Sequence, residues 1–107
     1  MAEGLSVAEV SSRRDLAQFV ELPYRLFASE PDWVPPLRSD VRWMLDPAKN
    51  PFWSHARRTL LLARRGGKVV GRLAVIADDE HNRVHADRTA FFGFFECEDD
   101  PDAAKAL

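Results

Sequence analysis

The sequence predicts an α+β fold: a mostly antiparallel sheet of about four strands, two helices on one of its faces, and the start of a third helix at the C-terminal end. Three observations carry this. Apolar residues recur at helical spacing up to Leu45. From Thr59 onward the spacing becomes that of strands. Arg64-Arg65-Gly66-Gly67 then separates two strand-like runs as a tight turn, and strands joined so closely must be antiparallel.

The elements follow in order. Leu5, Val7 and Val10 make Leu5–Val10 the first strand candidate. Ser12 can cap the next helix, with Asp15 three residues on in a capping-box-like spacing. Leu16, Phe19, Val20, Tyr24 and Phe27 form the apolar face of that helix. Pro23 lies inside it and has no N–H to offer the Phe19 carbonyl, so a kink or break is expected there. Pro31, Pro35 and Pro36 stiffen the connection that follows. A second short helix runs from Leu37 to about Leu45, with Leu37, Val41, Met44 and Leu45 as its stripe and Pro36 suited to its first turn. Asp46-Pro47 and Asn50-Pro51 bound a loop carrying Phe52, Trp53 and His55.

Thr59–Ala63 reads as a buried strand and Lys68–Asp78 as its return. Alternation places Val70, Arg72, Ala74 and Ile76 on one face of the return strand, and Val69, Gly71, Leu73, Val75 and Ala77 on the other. Asp79–Arg88 reads as a polar loop. Thr89–Cys97 is the last strand, with Phe92 and Phe94 on one side and Phe91 and Phe95 on the other. A strand apolar on both sides is expected to be central, covered above and below. Asp100-Pro101-Asp102 opens a helix with a cap, a first-position proline and a carboxylate at the positive dipole end. The seven residues Pro101–Leu107 are too few to cover that strand, so the chain is expected to be the front part of a larger fold, or to need a partner such as a second copy.

Composition bounds the function classes. With 107 residues, 46% hydrophobic and 30% charged, the chain is one globular domain at most. A net charge of −2 gives no pull toward nucleic acid or an anionic membrane surface. Cys97 is the only cysteine, which excludes an internal disulfide and a cysteine-based metal cluster. Met1–Val10 has no signal-peptide pattern, and no run approaches the ~20 apolar residues of a membrane span. A cytoplasmic protein without membrane or nucleic-acid partners is therefore expected.

Several residues invite chemistry. His81 and His85 are four apart, a ligand pair if helical, but a loop placement and the lack of a third ligand nearby favour solvated histidines, and no metal is expected. His55 reads as local packing or capping, with nothing nearby in sequence to orient it for catalysis. Arg57, Arg58, Arg64, Arg65 and Lys68 read as solvated strand ends that discourage aggregation. Arg72, inside an apolar strand, reads as half of a structural ion pair. Trp33, Trp43 and Trp53 with Tyr24 read as filling gaps under proline-rich loops, with Trp33 the best candidate for more than that. Cys97 reads as a small buried hydrophobe.

Taken together, Phe19–Tyr24, Trp33-Val34-Pro35-Pro36-Leu37, Asn50–Ala56, Val70-Gly71-Arg72 and Phe91–Glu96 resemble the first half of a GNAT-type N-acetyltransferase domain, in particular a branch of uncharacterised bacterial GNAT-like proteins. The resemblance implies that residues 1–107 are the N-terminal half of one such domain. It implies transfer of an acetyl group from acetyl-CoA to an amine, small-molecule or peptide, with the chain inactive alone. By that likeness, Phe95, Glu96 and Cys97 would line the acyl-coenzyme A arm, Glu96 would be the general base, and Trp33 and Tyr24 would border the acceptor. Glu96 equally suits the end of a strand or the start of an acidic cap. The chain departs from the family at the pyrophosphate turn. Glu98–Ala103 has no glycine, and four carboxylates repel an anion there. Either coenzyme A binds differently or it does not bind. The alternative is a non-catalytic interaction unit that a partner chain completes.

Overall fold

A computed structural model describes residues 4–86 and 88–107. The elements run β1 (Leu5–Glu9), α1 (Arg13–Leu26), α2 (Arg38–Leu45), a 3-10 turn (Pro51–Ser54), β2 (Ala56–Arg65), β3 (Lys68–Asp78), α3 (Asp79–His85), β4 (Phe91–Cys97) and α4 (Pro101–Ala106). The strands form one antiparallel sheet in the order β1-β2-β3-β4. The class is α+β, as the sequence predicts.

Local chemistry explains most boundaries. The Ser12 hydroxyl accepts the Asp15 N–H at 3.1 Å, and the Asp15 carboxylate reaches back to the Ser11 N–H, also at 3.1 Å. Gly66 and Gly67 take φ of 58° and 83°, the pair of positive values a two-residue hairpin between β2 and β3 requires. Asp100 accepts the Ala103 N–H at 3.2 Å and starts α4, with Pro101 at its first position.

Two apolar clusters hold the sheet from its two sides. The larger packs Phe19, Val20 and Leu22 of α1 and Val41 and Leu45 of α2 against Leu60, Leu62, Val69 and Ala74. The smaller packs Ala103 of α4 against Ala63 and Val70, with Leu5, Cys97 and Leu107 at its rim. A fully buried leucine or phenylalanine is worth about 1.5–3 kcal/mol, so the larger cluster dominates.

Four expectations need correction. First, α1 runs unbroken through Pro23. Proline removes the N–H that would reach the Phe19 carbonyl, but Arg72 Nη1 supplies that bond instead, at 2.7 Å. Arg72 is 5% exposed, and its hydrogen bonds go to carbonyls rather than to a carboxylate. Second, Asp79–His85 is a helix, not a loop. Asp78 caps it by accepting the N–H groups of Glu80 and His81 at 3.0 and 3.3 Å. Third, the register shifts at Ala63/Arg64, so Val69 joins the α1 face and Val70 the α4 face, the reverse of strict alternation. Fourth, β4 is an edge strand rather than a central one, and Phe91, Phe92 and Phe95 are 44%, 73% and 44% exposed.

The basic residues round the hairpin are paired rather than merely solvated. Arg64 reaches Asp15 at 2.9 Å, Arg65 reaches Asp100 at 2.8 Å, and Lys68 reaches Glu98 at 3.5 Å. Arg25 joins them, binding Glu98 at 3.1 Å and the Val69 carbonyl. No described helix is long and apolar enough to cross a membrane.

Replacing Arg72 with Met leaves two carbonyls without their donor. It is expected to lower unfolding stability by about 3 kcal/mol, read from urea denaturation. A loss under about 0.5 kcal/mol, the ordinary surface range, would remove Arg72 from this role.

Candidate functional site

The site is built on a fault in β4. Gly93 pairs with Ala74 and Glu96 with Arg72, which leaves Phe94 and Phe95 together opposite Leu73. This is a β-bulge, one extra residue that bends an edge strand and re-aims its side chains. Phe94 sits at φ 56°, the left-handed region that a bulky residue enters at a cost of about 1–3 kcal/mol. Two contacts hold it there. Arg72 Nε donates to the Phe94 carbonyl at 2.9 Å, and the Phe94 ring packs on Phe19 with centroids 6.3 Å apart.

The bulge changes which side chains share a face. Phe94 packs with the α1 cluster, and Glu96 lies on that same side, opposite Arg72. Phe92 and Phe95 fall on the α4 side. There, with Leu73, Ala104 and Leu107, they line an apolar trough of about 300 Å³. Glu96 therefore does not share a side with Phe92, against the expectation from alternation.

The arginine is the hub of the charged side. Burial pushes the Arg72 pKa down, while Glu96 and then Tyr24 oppose that shift. Its guanidinium lies 4.9 Å from the Phe19 ring centroid and 5.6 Å from that of Phe94. Glu96 lies opposite Arg72 in the strand register, and Tyr24 is near enough to act on its charge. Trp33 follows Tyr24, edge-on at 5.5 Å, and meets Phe27 at 5.5 Å. The Tyr24 hydroxyl donates to the Pro36 carbonyl, and Arg38, stacked 3.9 Å over the Tyr24 ring, forks Glu21 at 2.9 and 2.7 Å. Phe95 and Cys97 face away from this group. Cys97 is half-buried beside Gly71, where a Cβ would stand 2.9 Å from Leu107 Cδ1 and 3.1 Å from Cys97 Sγ. Burial, then Asp100 and Glu98, raise the Cys97 thiol, which keeps it protonated and a poor nucleophile.

Sequence reasoning missed one pair. His55 Nδ1 meets Asp78 Oδ1 at 2.8 Å, so His55 does have an orienting carboxylate, 23 residues away in the chain. The carboxylate is the last residue of β3, but only the hairpin register brings Ala56, and with it His55, opposite Asp78. Among the described residues no group of three or more histidine, cysteine or acidic side chains is placed to hold a metal.

No family model matches the chain. No solved structure matches it either. It is similar to the bacterial ceramide synthase of Caulobacter vibrioides, 40% identical over 98 residues, which is 91% of this chain and 26% of that protein. It is also similar to protein YghO of Escherichia coli, 32% identical over 96 residues, 90% of this chain and 24% of that protein. The chain spans about a quarter of the length of the curated relatives it matches. These likenesses overturn the acetyltransferase expectation: neither relative is named for transfer of an acetyl group from acetyl-CoA. They equally displace the reading as a non-catalytic GNAT-like unit.

Two measurements check this description. Phe94→Ala is expected to cost about 2–4 kcal/mol, within the large-to-small core range, whereas Phe92→Ser is expected to stay within about 0.5 kcal/mol. Equal effects would place the two rings in like environments. The second concerns acid. Arg65 holds Asp100 below the ordinary carboxylate value of 3.8; His55 does the same for Asp78, and the Ser11 N–H for Asp15. A folded pKa below the unfolded one means that the native state binds fewer protons. That stability is complete above the ordinary value and is lost as pH falls through the folded values. The urea midpoint is therefore expected to fall below about pH 4, and to fall less in Asp100→Asn. A midpoint unchanged down to about pH 3 would contradict the pairing.

Proposed function

We infer that this chain is one wall of a ceramide-forming enzyme, the part that carries the bulged edge strand. The observation that carries the reading is the 40% identity to the Caulobacter ceramide synthase across 91% of the chain. A ceramide is a long-chain amino alcohol whose nitrogen bears a fatty acyl group. Forming it joins an amine to an activated acyl carbonyl: the C–N bond forms, the acyl carrier leaves, and the amine loses a proton.

The side chains of β4 suit that task on both sides. The trough of Leu73, Phe92, Phe95, Ala104 and Leu107 is lined by apolar side chains and offers mainly apolar surface, which fits an aliphatic chain. An edge strand also presents backbone N–H groups, and donors of that kind can polarise a carbonyl as its oxygen gains charge. Glu96, beside Arg72 on the other side, is the residue of β4 that could take the amine proton. Tyr24 and Trp33 would border the polar end of the acceptor. An acyl-coenzyme A donor is part of this proposal, as is a reducing compartment. The GNAT likeness enters only as a likeness of scaffold. The remaining three-quarters of a full-length relative would cover the α4 face.

The test is a graft. The 98-residue stretch of the Caulobacter synthase that matches this chain is replaced by this chain's own residues. Ceramide production, followed by mass spectrometry, is expected to persist in the chimera and to fall at least about 100-fold with Glu96→Gln, within the range of general-base loss. A chimera that accumulates as folded protein and makes no ceramide would count against the reading.

A further inference from the structure

The three histidines gather at the end of the sheet where β3 passes into α3. The helix is polar at nearly every position, and Val84, its one large aliphatic side chain, is 61% exposed. Core burial thus does not account for which residues it carries. The Asp78 cap makes the segment helical, and that places His81 and His85 one turn apart on a single face. Their ring centroids are 4.5 Å apart. The Phe91 ring stands edge-on to His81 at 5.0 Å and 80°, which helps fix the imidazole.

Rings that far apart and tilted by 42° leave room for a shared ion. A divalent transition metal sits about 2.1 Å from an imidazole nitrogen, hence about 3.2 Å from the ring centre. Two rings at a right angle about it then have centres about 4.5 Å apart, the arrangement tetragonal ions favour.

The geometry points to a two-histidine chelate on α3, His81 with His85, for a late first-row divalent cation, with Cu²⁺ bound more tightly than Ni²⁺ or Zn²⁺. Water completes the coordination, since among the described residues no third side chain joins the pair. Such an ion fastens one turn of α3 just ahead of β4. The inference is independent of the lipid reading.

The experiment titrates the untagged full chain with CuCl₂, by calorimetry and by electron paramagnetic resonance. One ion per chain, with hyperfine structure from two nitrogens, is the expected result. His81→Ala and His85→Ala are each expected to weaken binding at least tenfold, and His81→Gln and His85→Gln to match them with an unchanged circular dichroism spectrum. Absence of binding, a signal from fewer than two nitrogens, or copper retained undiminished by the double variant, as capture at the N-terminal amine would give, overturns the proposal.

Discussion

One buried guanidinium ties the helical layer to the sheet. Pro23 leaves the Phe19 carbonyl of α1 without its helical donor, and the bulge leaves the Phe94 carbonyl of β4 out of line with its ladder. Arg72, between them on β3, donates to both. Each irregularity alone would be a defect in a buried region, where an unmet carbonyl costs about 1–3 kcal/mol. Joined through one side chain, they fix where α1 crosses the sheet and hold Phe94 in its strained conformation. The aromatic faces of Phe19 and Phe94 around the cation replace part of the water it has lost.

The chain's charges sort around that clamp. The acidic segment from Glu98 to Asp102 would be self-repelling in isolation. Arg65, Lys68 and Arg25, which the hairpin and α1 deliver to it, pair with Glu98, Asp100 and Asp102 and offset most of that charge. The stretch that lacks the glycine-rich phosphate turn is thereby occupied in holding α4 to the hairpin. The side chains that line the trough beside Phe92 and Phe95 carry no formal charge, which is the feature a hydrocarbon chain requires.

Features set by neighbouring residues were legible in the sequence. Ser12 and Asp100 cap the helices expected of them, and Gly66-Gly67 turns the hairpin at the expected place, because caps and tight turns depend on residues a few positions apart. The strand Lys68–Asp78 has the bounds the alternation predicts. Misreadings came where the deciding contact is distant. Pro23 reads as a break until Arg72, 49 positions later, completes the bond. Alternation reads Phe91–Phe95 as a regular strand, because an extra residue leaves no mark in hydrophobic spacing. α3 has no apolar stripe and so reads as a loop, although Asp78-Asp79-Glu80 is an adequate capping and dipole signal. Within the candidate site, the type of residue on β4 was legible, but its sidedness was not.

The first strand has a consequence for how the chain is made. Among the described residues β1 pairs in the sheet with β2 alone, and Leu5 is matched with Arg65. The hairpin of β2 and β3 can close as soon as it leaves the ribosome, since its turn is two residues long. β1 emerges much earlier and must stay unpaired until the residues up to Arg65 have followed it. At a synthesis rate of roughly 5–20 residues per second, that delay lasts seconds, long compared with the microseconds in which a hairpin zips. A first strand with four of its five residues exposed even when paired leaves little buried surface waiting on its partner during that interval in water.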